Sequence, residues 1–198
     1  MSLNFERGNK GFAYFAATDG DIGTIFQQMR RRKFNSDLLV GVASRCLYGK
    51  PQVILCKSLL NGTPFPNNFW LSCPVLVKMA GQLESLGGVK KLESYIEENS
   101  RADWETYNRL HTRIRVALAN KRELDILESN NSALYEKFCD DNIGIGGIKM
   151  NKEIQVKCLH LQIASFLSLG FHPGEDWLKE KISSFYIEEK EHGDKRSV

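Results

Sequence analysis

No stretch of this chain approaches the roughly 18 consecutive apolar residues that a membrane-spanning helix needs. Residues 1–10 also lack the apolar core of a secretory signal, so no membrane or export role is expected. There is no Cys-x-x-Cys pair, which removes the usual signature of a zinc ribbon or a redox dithiol. The five cysteines, Cys46, Cys56, Cys73, Cys139 and Cys158, are odd in number and irregularly spaced. They read as free thiols in a reducing cytoplasm. Neither sign of charge dominates: 27 Lys and Arg face 24 Asp and Glu, for a net charge of +3. That excess is too small to mark a nucleic-acid-binding protein. No Walker or dinucleotide glycine fingerprint is present, and no carboxylate pair stands out for acid–base work.

What is present patterns as an α+β protein, a short three-stranded antiparallel meander packed against a mostly helical bundle. Residues 1–20 read as an irregular N-terminal arm, 21–187 as one domain and 188–198 as a charged, frayed tail. A helix is expected over 21–33, where Ile22, Ile25, Phe26 and Met29 recur at helical spacing. It ends in Arg30-Arg31-Arg32-Lys33, cations that suit the negative end of a helix dipole. Strands are expected over 38–46, 51–59 and 68–72. In the second, Val53 and Leu55 should face one side and Ile54 and Cys56 the other. The connections are too short for parallel crossovers, and Asn61-Gly62 is a hairpin signal.

Pro74 suits the first position of a helix over 74–86, which makes Cys73 its N-cap. Further helices are expected over 89–99, 101–128, 132–140, 153–169 and 173–186. The run Asn142-Ile143-Gly144-Ile145-Gly146-Gly147 breaks the pattern before the apolar 153–169 segment.

Several separated motifs occur in order: Arg45-Cys46, Gly49-x-Pro51, Gly62-Thr63-Pro64-Phe65-Pro66, Trp70-Leu71-Ser72-Cys73-Pro74 and Lys157-Cys158-Leu159-His160. Together they resemble the bacterial family called domain of unknown function 501, over about residues 21–178. The family's glycine-rich loop resembles Gly144 to Gly147 here. Near the C-terminus this chain has Gly170-Phe171-His172-Pro173 in place of the family's Gly-Pro-Gly-Val-Asn-Pro-like segment. The resemblance implies a bacterial cytosolic protein and implies no activity.

Three constellations could carry chemistry. Cys46, Cys73, Cys158 and His160 are ligand types for zinc, but Cys158 and His160 stand two apart on an expected helix, about 200° around its axis. No metal centre or cofactor is assigned on that ground. Lys157 and His160 are three apart and share a face, with the Gly144, Gly146 and Gly147 loop ahead of them and Arg45 at a strand end. Such a set could hold a small anion through cations and backbone amides. Cys73 at a helix N-terminus is a candidate nucleophile, with His160 as its acid or base. The expected function is a small anionic-ligand site where strand ends meet the 157–160 segment. The alternative is an interaction module built on the long helix and the Pro/Phe loop.

Overall fold

The apolar run Val53-Ile54-Leu55-Cys56 becomes the central strand of the sheet. The computed structural model describes residues 2–5, 9–30, 34–65, 67–150 and 153–194. The three-stranded antiparallel sheet has the order β3 (Leu39–Arg45), β4 (Pro51–Cys56), β7 (Phe69–Leu71). Val53 and Leu55 enter the larger core, while Ile54 and Cys56 enter a second core with Ile25 and Met29. One strand therefore serves two cores, as its period-two alternation requires. Asn61 and Gly62 both adopt positive φ, 51° and 74°, and turn β5 (Leu59–Leu60) back onto β6 (Thr63–Pro64).

The N-terminal segment is more regular than its glycines and aromatics suggest. β1 (Ser2–Phe5) pairs with β2 (Asn9–Ala13), and Phe15 then bridges to Val42 of β3. Backbone pairing with β3, invisible to local periodicity, orders it. α1 (Asp19–Met29) covers the second core and starts in a capping box between Thr18 and Asp21. Residues 31–33 of the basic run lie outside the described residues, as does Pro66.

α2 (Pro74–Ser85) begins with Cys73 as N-cap, and a left-handed Gly87 joins it to α3 (Gly88–Asn99). The helix expected over 101–128 is two helices, α4 (Arg101–Ala117) and α5 (Lys121–Asn130). Asn120 separates them because its side chain accepts from the Glu123 amide and caps α5. α6 (Ser132–Cys139) follows. The apolar helix expected from 153 starts six residues later, as α7 (Leu159–Leu169). Lys157 has φ 64° and Cys158 is extended, so no helix can run through them. α8 (Glu175–Asp194) starts after Pro173 and runs into the expected tail; residues 195–198 lie outside the described residues. α7 packs on β7 and α2 at the centre of the larger core.

Two histidines are buried in that core. His172 accepts from the Gly174 amide at Nδ1 (2.8 Å), so its Nε2–H donates to Gln162 Oε1 (2.9 Å). That pairing needs the neutral ring, since a proton on Nδ1 would oppose the Gly174 N–H. His111 Nε2 meets the Ser165 hydroxyl at 2.8 Å, and Ser165 in turn pairs with Tyr107. Burial lowers both imidazoles from 6.5 to about 3, with His172 and Arg115 adding repulsion at His111.

A folded-state pKa below the unfolded one means that the unfolded chain binds more protons between the two values. Stability is therefore complete above pH 6.5 and falls as pH drops toward about 3. Each histidine contributes a slope of at most about 1.4 kcal/mol per pH unit. Urea unfolding between about pH 7 and pH 4.5 should show a falling midpoint, and His172→Gln should reduce the slope by about half. A midpoint that stays level over that range would overturn the buried-neutral assignment.

Candidate functional site

The late start of α7 creates the site. Because α7 begins at Leu159, Cys158 is extended (φ −156°, ψ 153°) and lies off the helix, while His160 is in the first turn. The 200° separation expected for two residues on one helix does not apply. Their side chains converge with a third from the last turn of α2, Glu84. A carboxylate oxygen of Glu84, the Cys158 sulfur and a ring nitrogen of His160 all lie within 4.8 Å of one another.

Glu84 does two things here. Its Oε1 accepts from the backbone N–H of Leu159 (2.6 Å) and, more weakly, of His160 (3.4 Å). It thus caps α7 across the fold, with its negative charge at the positive end of the helix. The same oxygen lies 3.0 Å from His160 Nδ1. A carboxylate has no proton to give, so Nδ1–H is the donor of this bond. Among the described residues Nε2 takes no hydrogen bond, and neither does Glu84 Oε2. Burial pushes the Cys158 thiol above its ordinary pKa, while the Leu161 and His160 amides and Lys157 act the other way.

This cluster opens on a cleft of about 240 Å³ between β7 and α7, with Asn67, Trp70, Leu71, Cys158, His160 and Leu161 on its walls. Asn67 Oδ1 is buried without a hydrogen-bond partner, although the Asn67 carbonyl accepts from the Trp70 indole at 2.7 Å. A buried acceptor left open is unusual in a folded protein.

The glycine loop lies beside the cleft in an arrangement of its own. Gly144 packs so tightly on α4 that a Cβ there would sit 2.1 Å from Asn108 Oδ1. The amides of Gly144, Ile145 and Gly147 are spent on Ile148 O, Asn108 Oδ1 and Gly144 O. The loop's carbonyls face cations instead: Lys157 Nζ donates to Gly146 O at 2.6 Å, and Arg115 Nη1 to Gly144 O at 3.2 Å. Arg115, 3% exposed, also donates to Phe138 O and Ile143 O (2.8 and 2.7 Å). Burial lowers its pKa, yet a guanidinium stays charged.

The residues singled out in the sequence divide into three places. His160 lines the cleft, while Lys157 is held just outside its walls by Gly146, which packs against Leu161 and Asn67. Arg45 forms a two-pronged pair with Asp21 of α1, at 2.6 and 2.8 Å, and donates to Gly49 O. That pair holds the Asp21 carboxyl far below the usual carboxylate range. Cys73 lines a separate cleft with Cys46. It caps the end of α2 opposite Glu84, roughly 16 Å away along the helix axis. The surface foreseen for an interaction module is largely covered: Trp104, Tyr107, Leu110 and Ile114 of α4 are buried, and Phe65 packs on the second core. Leu47 and Tyr48, on the β3–β4 turn, are the fully exposed apolar pair.

Glu84 was not legible as a functional residue. It lies 75 residues from Leu159, and its own helix marks it as one more polar position. The available signal was its place one turn before the Gly87-Gly88 stop, where an acid opposes the helix dipole and so needs another partner.

Glu84→Ala leaves two amides of α7 uncapped and should cost about 1–2 kcal/mol in urea unfolding. Glu84→Gln keeps an acceptor and should cost less. Arg115→Met strands three buried carbonyls and should cost more, about 3–5 kcal/mol. Equal costs for Glu84→Ala and Glu84→Gln would argue against the cap.

Among the described residues no helix is long and apolar enough to cross a membrane. No curated protein and no solved structure matches the chain. The model of a protein family of unknown function, DUF501, matches residues 42–180, a span that holds all but the first three residues of the meander, Glu84, the glycine loop and the Lys157–His160 segment. The chain belongs to the DUF501 family.

Proposed function

We propose that the cleft at the start of α7 binds a small ligand, with Glu84, Cys158 and His160 as its polar floor and Lys157 as the cation on its rim. The observation that carries this reading is the convergence of three chemically different side chains, two of which, Cys158 and His160, line a cleft whose wall holds an unsatisfied buried acceptor. A structural cap alone needs only the Glu84 carboxylate and the two amides. It needs neither the thiol nor the Asn67 amide.

Lys157 favours a ligand with an anionic group. One of its three donors is committed to Gly146, which anchors the ammonium and leaves two donors for a ligand. Asn67 Oδ1 favours an N–H or O–H on the same ligand. Arg45 and Cys73 have no part in this reading, because one is neutralised by Asp21 and the other opens on a different cleft.

The test is a protein-observed NMR titration with inorganic phosphate, small carboxylates and hydroxy acids. Binding should shift the Trp70 indole and the Asn67, His160 and Leu161 signals together, and Lys157→Ala should weaken it about tenfold or more, the loss expected for one charge-assisted hydrogen bond. At a hundred times its dissociation constant a ligand should add about 2.7 kcal/mol to the unfolding free energy. Shifts scattered over the surface, or confined to the cleft around Cys46 and Cys73, would overturn the reading.

A further inference from the structure

Building on that reading, we infer that Glu84, Cys158 and His160 ligate a divalent transition metal of the zinc class, which in turn receives the ligand. The residue types are the first argument. A thiolate, an imidazole and a carboxylate together suit zinc, and carboxylate-loving magnesium or calcium would not select a thiol. Geometry is the second. Zinc bonds of about 2.0–2.3 Å put neighbouring ligand atoms roughly 3.3–3.8 Å apart. The three atoms already lie within 4.8 Å of one another, so side-chain rotations of about 1 Å would close the set. All three residues are half-buried, so such rotations are open to them.

Backbone position is the third argument. Lys157 in the left-handed region and Cys158 in the extended region bring the thiol round beside the first turn of α7. A left-handed lysine is an uncommon, costly conformation. Its effect here is to put a soft ligand and an imidazole on one side of a helix end.

Charge is the fourth. An anionic ligand entering the cleft meets Glu84 as well as Lys157, and the two cancel. A dication bound by Glu84 and a Cys158 thiolate is neutral overall, which leaves Lys157 as an unopposed cation. The metal thus reconciles an anion-binding cleft with the carboxylate at its floor. Three protein ligands leave a fourth position, the pattern of catalytic rather than structural zinc. That position faces a cleft whose Asn67 oxygen can accept from a metal-bound water. Binding releases the Cys158 thiol proton to solvent, and with Nδ1 as the His160 ligand atom the ring proton moves to Nε2; nothing is oxidised or reduced.

Cobalt(II) tests this directly. One equivalent should give a thiolate-to-cobalt charge-transfer band in the near ultraviolet and the intense visible bands of a tetrahedral site, both displaced by zinc. Cys158→Ser should abolish the charge-transfer band. Glu84→Gln and His160→Ala should each weaken cobalt binding by more than the about 10–100-fold that changes outside the ligand set cause. The double variant Cys46→Ser, Cys73→Ser should leave the spectrum intact. Should Cys158→Ser not fold, peptide mapping of the unaltered protein decides: zinc should protect Cys158 from iodoacetamide and leave Cys46 and Cys73 reactive. A missing band, a band that depends on Cys46 or Cys73, or no protection of Cys158 would overturn the metal site. Ligand-induced shifts at Asn67 and Trp70 in metal-free protein would then still support the cleft. A cobalt site without any ligand response would sink the cleft reading and keep the metal.

Discussion

The start of α7 rests on one carboxylate. Glu84 supplies the charge that the helix's first amides need, and it does so from α2, a helix packed directly against α7. A helix could in principle begin several residues earlier, since the sequence before Leu159 is apolar enough. It does not, because Lys157 and Cys158 leave helical geometry and Glu84 takes over the free N–H groups. The α2–α7 contact, the direction of His160 and the exposure of the Cys158 thiol all follow from where that cap falls.

Arg115 plays the complementary part on the opposite side of the glycine loop. A buried guanidinium is costly unless each donor is used. Here its donors take the carbonyls of Phe138, Ile143 and Gly144, while Ser58 donates to its own carbonyl. The loop is thereby held from below by Arg115 and from above by Lys157 at Gly146. A loop clamped through its carbonyls keeps its shape without any ligand. It acts as a rigid wall, and the recognition chemistry falls to the side chains of α2 and α7.

Much of this was legible in the sequence, for a physical reason. Period-two alternation placed Val53 and Leu55 opposite Ile54 and Cys56, and the two faces do enter two cores. Asn61-Gly62, Cys73-Pro74 and Gly87-Gly88 are local signals, and each marks the turn or helix end expected of it. The misplaced boundaries have non-local causes. Asn120 divides α4 from α5 by a cap whose competitor was a continuous apolar stripe. The 153–158 segment lost its helix to bonds with distant residues: Val156 N–H to Glu93, and Leu159 N–H to Glu84. At the site, Lys157, Cys158 and His160 stood out because they are close in sequence. Glu84 and Asn67 reach the same region through the fold, and no spacing rule links them to it.

The two cysteines at helix starts show why a motif-level reading of the thiols falls short. Cys73 and Cys158 are both N-caps, and neither side chain accepts a capping hydrogen bond. At α2 the first helical residue is Pro74, which has no N–H, so one of the orphan donors is absent from the outset. At α7 those donors exist, and Glu84 from another helix takes the first, Leu159 N–H, and more weakly the second, His160 N–H. The Cys158 sulfur makes no capping hydrogen bond of its own, although the His160 and Leu161 amides still favour its thiolate. With Glu84 holding the Leu159 amide, the sulfur also meets the imidazole and the cleft, so the thiol can reach something besides its own backbone.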